Sequence, residues 1–319
     1  MKLQVIIGKQ NNPYLNLAVE NDILENGSDD VMTLFLWKNG HTVVIGANQN
    51  PYTECDVKAL YADGGCVSRR RTGGGAVYHD LGNLNFSFIA DKKIYNVRRQ
   101  MSVIQKALHD FNLNAEVTGR NDIALDGRKF SGNAFRLTDK RGLHHGTLLI
   151  KTDYQLIAKY LKINPAKLQK HGVKSVGSRV INLSEVADIT SDNIIPHLIE
   201  AFENIYEGTA EFIDFDSLCT EKIREEAKYI ASDEYLFAKW RDFKAKRTAV
   251  FSWGIVEMDI SIDEEHGIIK DVEIASDGLD TGVIAEAKKL LIGARTDAKP
   301  QISDEKFKNE IEDIFSLIF

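Results

Sequence analysis

The chain has 319 residues, 43% hydrophobic and 27% charged, which excludes a disordered or collagen-like chain. Its 40 Lys and Arg against 47 Asp and Glu leave a formal net charge of −7, which argues against a general nucleic-acid binder. One large domain plus a small one is the natural organisation at this length.

In chain order, residues 3–8 (LQVIIG) predict a first strand. Pro13 then opens an amphipathic helix carrying Leu15, Leu17, Ala18, Ile23 and Leu24. Residues 33–38 and 42–46 predict two strands around Asn39-Gly40-His41, a hairpin signal. A helix is expected over 53–63, and a glycine-rich loop between short strands over 67–80. Residues 83–90 alternate Leu84, Phe86 and Phe88 with Asn83, Asn85 and Ser87, the period of a strand. A helix over 96–112 leads into a run of strands over 115–150, with a tight turn at Asp126-Gly127. Further helices are expected over 153–161, 191–206 and 217–230.

The texture changes near residue 245. The basic run KAKR (244–247) precedes two long strands, 249–263 and 266–277, then helices near 281–292 and 303–316. The reading is an α+β protein: a mostly antiparallel sheet with helices over 1–245, and a small α/β domain over 246–319.

The net charge hides an asymmetry. Residues 64–151 hold 15 basic and 7 acidic groups, net +8, while residues 250–319 are net −9. A positive block inside an acidic chain points to a local anionic ligand. The three cysteines, Cys55, Cys66 and Cys219, form no CxxC, which fits a reducing compartment. No secretory leader pattern and no run of about 20 apolar residues is present, so a cytoplasmic location is expected. HExxH and GxxxxGK[ST] are absent.

Three clusters inside the positive block can carry chemistry. Arg69-Arg70-Arg71-Thr72-Gly73-Gly74-Gly75-Ala76-Val77-Tyr78-His79 offers glycine N–H groups and guanidinium forks for phosphate oxygens. On its own this stretch equally fits a tight turn beside a solvated strand end. Asn121-Asp122 precedes Gly127-Arg128-Lys129-Phe130, where Lys129 follows a turn and is placed to reach a pocket from a strand; an exposed hairpin lysine is the plainer alternative. His144 and His145 face opposite sides of a strand. They do not suit one metal ion, and one of them is expected to be a hydrogen-bonding pocket residue.

Taken together and in order, RRRTGGGAVYHDLGNLNFSF, GRNDI, GRKFSGNAFR and HHGTLL resemble the lipoate-protein ligase family. PYLNLAVEN, LFLWKNGHTVVIGANQNPYTEC and SVGSRVINLSEV (175–186) extend the likeness, and a small C-terminal domain begins near FSWG (251–254). The resemblance implies a fold like the biotin and lipoate ligase catalytic domains, related to class II aminoacyl-tRNA synthetases. It implies a two-step reaction: ATP and lipoate give lipoyl-AMP and pyrophosphate, with Mg²⁺ as a further cofactor. The lysine of a lipoyl domain then displaces AMP; such acceptors are the glycine cleavage H protein and the E2 subunits of 2-oxoacid dehydrogenases. The family's phosphate-contacting arginine falls on Arg70, its nucleotide loop on Gly75, Ala76, Val77 and Tyr78, and its essential catalytic lysine on Lys129. Asn121 and Asp122 match positions near the nucleotide, and His79 and Arg136 positions near the lipoyl pocket.

An apolar tunnel for the lipoyl chain is expected, with Leu17, Trp37, Val43, Val44 and Phe86 as candidate lining. The family often has Ser where this chain has Arg71, Thr72 and Asn133, and the charge added by Arg71 has no role that the sequence explains. Two alternatives stand beside this reading: an octanoyl or lipoyl transferase of the same fold, which needs a cysteine thiolate, and a non-catalytic nucleic-acid-binding module. No membrane partner is expected.

Overall fold

The computed structural model describes residues 1–119, 121–162, 179–303 and 305–319. Arg120 and residues 175–178 of the SVGSRV stretch lie outside the described residues. Its strands are β1 (Lys2–Ile7), β2 (Val31–Trp37), β3 (Thr42–Ile45), β4 (Cys66–Arg69), β5 (Val77–His79), β6 (Asn83–Asp91) and β7 (Glu116–Thr118). There follow β8 (Asp122–Leu125), β9 (Arg128–Leu137), β10 (Arg141–Leu149), β11 (Ala210–Ile213), β12 (Arg247–Val250), β13 (Ile255–Asp263) and β14 (Ile268–Ser276).

Eight strands form one sheet in the order β11-β1-β2-β6-β10-β9-β8-β7. Strand β1 runs parallel to β11 and β2, and the other pairings are antiparallel. A second sheet, β4-β3-β5, carries the glycine loop between β4 and β5. The third, β12-β13-β14, belongs to the small C-terminal domain.

The expected hairpin at Asn39-Gly40 does not form: β2 lies in the large sheet and β3 in the second. The reason is local. Asn39 is buried, with its side chain bonded to Asn16 and His79, while Gly40 N donates to Asn11 O at 2.8 Å. The segment therefore carries the chain from one sheet to the next instead of closing a turn. The helix expected over 217–230 is two, Phe215–Leu218 and Glu221–Ile230, the second capped by Thr220. The strand expected over 249–263 is also two, folded back through the Phe251 N to Gly254 O bond.

Helix Pro13–Asn26 positions part of the site. Asn12 caps it by accepting from Tyr14 N and Leu15 N, and Pro13 occupies its first turn. Unusually, its buried residues include Asn16, Glu20 and Asn21. The largest core packs Phe86, Phe88, Leu34 and Leu148 of the main sheet against helices Val97–His109 and Ser191–Tyr206. Each such large side chain contributes about 1.5–3 kcal/mol by leaving water. The C-terminal domain has its own core, in which Met258 and Ile274 meet Ile284, Ile311 and Phe315. It touches the rest of the chain at the site, where Gly74 N donates to Gly278 O (3.1 Å) and Ser276 N to Asn48 O (3.0 Å).

Candidate active site

The three consecutive arginines are scaffold before they are anything else. Arg69 donates to the carbonyls of Gly46, Ala47, Gln49 and Leu236. Arg70 gathers the glycine loop: Nε donates to Thr72 Oγ1 (3.0 Å), Nη1 to Val44 O (3.2 Å), and Nη2 to Gly73 O (2.7 Å) and Gly75 O (2.8 Å). Burial lowers the Arg70 guanidinium to about 10, so it stays charged at neutral pH. Arg71, whose charge the sequence left unexplained, pairs with Glu25 and with Glu226 (2.9 Å). It thereby ties the loop to helices Pro13–Asn26 and Glu221–Ile230. Part of the +8 block is thus internal: Arg69, Arg70 and Arg141 are buried, while Lys92, Lys93, Arg98, Arg99, Lys106, Lys140 and Lys151 are exposed.

Glycine is required in the loop. Gly74 has φ +89°, and a Cβ on Gly46 would meet Gly74 O at 2.3 Å. The loop therefore crosses β3's end backbone against backbone, with open space above Gly75.

A cavity opens beneath this loop. Leu17, Trp37, Val44, His79, Asn85 and His145 line it, together with Arg70, residues 74–77, Asn121, Lys129, residues 132–134, Gly146 and Thr147. It continues into an outer cleft shared by Gly74, Gly75, Asn121 and Lys129, with Asp122 on one wall and residues 250–255, Asp277 and Leu279 of the C-terminal domain on the other. Lys129 sits at the junction. Its Nζ lies 2.7 Å from Asp122 Oδ1, and its carbonyl accepts from Ile181 N (2.9 Å).

Asn121 and Asn133 brace each other. Asn121 Nδ2 donates to Asn133 O (2.5 Å), and Asn133 Nδ2 to Asn121 O (3.0 Å). Asn133 Oδ1 in turn meets His144 Nε2 (2.9 Å). The larger amide at position 133 thus links Asn121 to the strand behind it. His144 faces Gln100 and Asn133, whereas His145 faces Glu20 and Thr72. The two rings diverge as strand alternation requires. Burial, with His145 nearby, holds His144 down at about 3; burial, with Arg70 and His145, does the same for His79. Asn39 Nδ2 donates to His79 Nδ1 (3.1 Å), so the ring proton sits on Nε2. That Nε2 and Asn85 Nδ2 are buried donors with no protein partner, and both residues line the cavity.

Of the residues singled out in the sequence, Arg70, Gly75, Ala76, Val77, His79, Asn121 and Lys129 come together around the cavity, with Asp122 beside them in the cleft. Two do not line it. Tyr78 packs its ring against His41 and Tyr160 on the far side of β5. Arg136 donates to Arg71 O (2.8 Å) and so supports the loop from behind. Among the apolar candidates, Leu17, Trp37 and Val44 line the cavity, while Val43 and Phe86 turn into the cores. Glu20 and Asn85 were missed. Glu20 falls on the apolar stripe Pro13, Leu17, Leu24 of its helix, and a carboxylate on a buried stripe was the available signal.

None of the three cysteines lines the cavity: Cys55 is in a core with its thiol pushed up to about 12 by burial, and Cys219 is buried elsewhere. Among the described residues no group of three or more His, Cys, Asp or Glu could hold a metal ion. No helix of the described residues is long and apolar enough to cross a membrane.

Comparison with known proteins agrees with this geometry. The family described as the lipoyl protein ligase A/B catalytic domain matches residues 12–203, and the bacterial lipoate protein ligase C-terminus matches residues 241–316. The chain is 39% identical to a lipoate-protein ligase A of Bdellovibrio bacteriovorus over 92% of this chain and 88% of that one. It is 37% identical to that of Psychrobacter cryohalolentis over 93% and 90%. Among solved structures, P. falciparum LipL1 in complex with lipoate superposes with a TM-score of 0.85 at 30% identity, over 98% of both chains. A lipoate-protein ligase A bound with ATP superposes at 0.64 with 25% identity, over 75% of this chain and 98% of that one. The chain belongs to the lipoate-protein ligase family.

Proposed function

We propose that this chain is an ATP-dependent lipoate-protein ligase. The observation that carries the reading is the position of Lys129, a lysine at the junction of an inner, mainly apolar cavity and an outer cleft rimmed by a glycine loop. The cavity suits an apolar acyl chain and the cleft a nucleotide. The acyl carboxylate would then meet the α-phosphate beside Lys129.

In the first step a carboxylate oxygen attacks the α-phosphorus, forming the acyl–adenylate bond as the bond to pyrophosphate breaks. Two anions must approach, and Lys129 with the glycine-loop amides offsets that repulsion. In the second step the acceptor lysine amine attacks the acyl carbon and AMP leaves. Lys129 is the catalytic residue in this reading, and Arg70, Gly75, Ala76, Val77, His79, Asn121 and Asp122 form the binding shell. Tyr78 and Arg136 support that shell from behind.

The residues present fit Mg²⁺ carried in by the nucleotide better than a resident ion. The described residues form no dedicated cage, and Asp122 and Asp277 each place a carboxylate at the cleft, within the usual protein share of one or two when phosphates supply other ligands. When bound, the ion would neutralise charge on the phosphate oxygens.

The acceptors we propose are lipoyl-domain proteins: the glycine cleavage H protein and the E2 subunits of 2-oxoacid dehydrogenases. In support, a solved relative, 25% identical, is the bi-partite lipoate protein ligase of Thermoplasma acidophilum, described with its E2 lipoyl domain. We place the boundary between catalytic and C-terminal domains at 245/246, and the protein in the cytoplasm. Mass spectrometry of a purified apo lipoyl domain incubated with this protein, lipoate and Mg·ATP tests the reading. A lipoyl adduct on the domain's lysine that requires ATP is expected. Transfer from an acyl carrier without ATP would overturn it.

A further inference from the structure

Beneath the cavity runs a chain of side-chain hydrogen bonds that ends on a buried carboxylate. Arg70 Nε donates to Thr72 Oγ1 (3.0 Å), and the Thr72 hydroxyl meets His145 Nε2 (2.8 Å). His145 Nδ1 lies 2.9 and 3.1 Å from the two oxygens of Glu20. Glu20 also accepts from Ser87 Oγ, which itself accepts from Trp37 Nε1 (3.0 Å). Glu20 is 1% exposed and Thr72 fully buried.

The donor directions agree along the whole chain. Thr72 accepts from Arg70, so its own proton is free to point at His145 Nε2. That nitrogen then accepts, and the ring proton sits on Nδ1, facing Glu20. A buried carboxylate needs donors, and this one receives them from the imidazole and from Ser87. Chains of hydrogen bonds with one direction strengthen each other in a low-dielectric interior.

We propose that Glu20 is a positioning residue for the adenylation step, acting through His145 and Thr72 on Arg70. Arg70 in turn holds the carbonyls of Val44, Gly73 and Gly75 and so sets the shape of the glycine loop. Trp37, His145 and Arg70 all line the cavity, while Gly74 and Gly75 of the loop that Arg70 holds also face the cleft. The relay therefore joins the wall of the acyl cavity to the loop that faces the nucleotide. A side chain that merely lined the cavity would affect the acyl substrate alone. Glu20 acts on the ATP side.

This inference rests on the ligase reading, so the wild-type protein is the first control: absence of lipoate-dependent pyrophosphate release from Mg·ATP would overturn that reading, not the relay. With the wild type active, Glu20→Gln keeps size and removes charge. It is expected to raise the KM for ATP or lower the rate of pyrophosphate release by about tenfold or more, the effect of one lost charge-assisted bond. The KM for lipoate should move by less than about threefold on the same scale. Thr72→Val breaks the relay in the middle and should cause a similar ATP-side loss, which Thr72→Ser recovers by restoring the hydroxyl. The double variant Glu20→Gln with Thr72→Val should be no worse than the more affected single variant, because both cut one line of communication. Thermal melting of each variant identifies those that remain folded. Additive losses, no recovery with Thr72→Ser, or a change confined to the lipoate KM would overturn the relay.

Discussion

Lys129 reaches Asp122 by folding its side chain over Gly132, the residue that pairs with Asp122 across β8 and β9. A Cβ at position 132 would lie 2.8 Å from the Lys129 Nζ, so glycine there keeps the ammonium's path open. Both partners of the pair are only partly exposed. An incoming acyl carboxylate would compete with Asp122 for the same ammonium. Lys129→Ala is expected to lower pyrophosphate release by roughly 10²–10³-fold, the scale of losing a donor that stabilises developing charge. Gly132→Ala should give a smaller loss of the same kind by displacing the ammonium. Single-turnover pyrophosphate release checks both, with circular dichroism to show an intact fold. Retained release in Lys129→Ala would remove Lys129 from the chemistry.

Arg70 makes a second, sharper case. Its guanidinium contacts four different acceptors, an arrangement suited to a planar fork and not to a point charge. Arg70→Lys should therefore fail nearly as badly as Arg70→Ala. Each is expected to raise the ATP requirement by at least about tenfold, since a buried charged hydrogen-bond donor is lost in both. An ATP titration of adenylate formation decides the matter: near-normal behaviour of Arg70→Lys would mean that charge alone matters at this position.

How far these features could be read from the sequence depended on whether they were local. The glycine loop, the lysine after Asp126-Gly127 and the paired histidines are local signals that the family resemblance singles out, and the structure brings the loop, Lys129 and His145 to one cavity. The polar face of β6 was harder. Asn83, Asn85 and Ser87 alternate with apolar residues as in a half-exposed strand, yet all three are buried: Asn85 lines the cavity, Asn83 donates to Asn85, and Ser87 bridges Trp37 and Glu20. Glu20 was hidden for a related reason: its helix packs on the sheet and on helix Glu221–Ile230, which puts Asn16, Glu20 and Asn21 inside. The false hairpin at Asn39-Gly40 shows the same limit, since a turn dipeptide says nothing of a distant histidine that takes up its side chain. The role of Arg71 needed partners 46 and 155 residues away.

Those partners give Arg71 a measurable but modest effect. Glu25 and Glu226 both sit at partly exposed positions, where ion pairs contribute about 0–1 kcal/mol and weaken with salt. Arg71→Ala is expected to lower Tm by a few degrees at low salt, and by less in high salt. Arg70, not Arg71, holds the carbonyls of the loop, so adenylation should persist. A salt-independent loss of stability would show that Arg71 acts through packing of its aliphatic stem.

The buried imidazoles set the acid limit of the fold. His79 and His144 are held down to about 3, while an exposed imidazole titrates near 6.5. Below pH 6.5 the unfolded chain takes up protons at these rings that the folded chain refuses. Their contribution is therefore intact above pH 6.5 and declines as pH falls toward 3. Tm should be nearly flat from pH 8 to 7 and should drop between pH 6.5 and 5, before most carboxylates protonate. His144→Gln, which can still hydrogen-bond Gln100 and Asn133, should reduce that slope. An unchanged slope would place the acid sensitivity elsewhere.

The contact between Gly74 N and Gly278 O engages a glycine-loop amide with the C-terminal domain. An amide that donates to a carbonyl is not free for a phosphate oxygen, so this contact must give way if that amide is to hold the nucleotide. The fit is tight: a Cβ on Gly73 would lie 2.2 Å from Gly278 O and 2.3 Å from Leu279 O. Both are backbone atoms, and neither can swing aside as a side chain would. Gly73→Ala should therefore push the domain off the loop. The contacts that remain, Ser276 N to Asn48 O, Asn48 Nδ2 to Thr281 O and the partly exposed Lys239–Glu273 pair (3.1 Å), are each worth only about 0–1.5 kcal/mol. Small-angle scattering is expected to show a larger radius of gyration for Gly73→Ala than for the wild type without substrates. Limited proteolysis near residues 241–247 should also be faster. Wild-type protein given ATP and lipoate should move in the same direction if the nucleotide takes the amide from Gly278. Identical scattering of all three samples would mean that the C-terminal domain stays seated throughout adenylation and that phosphate is held by other donors of the loop.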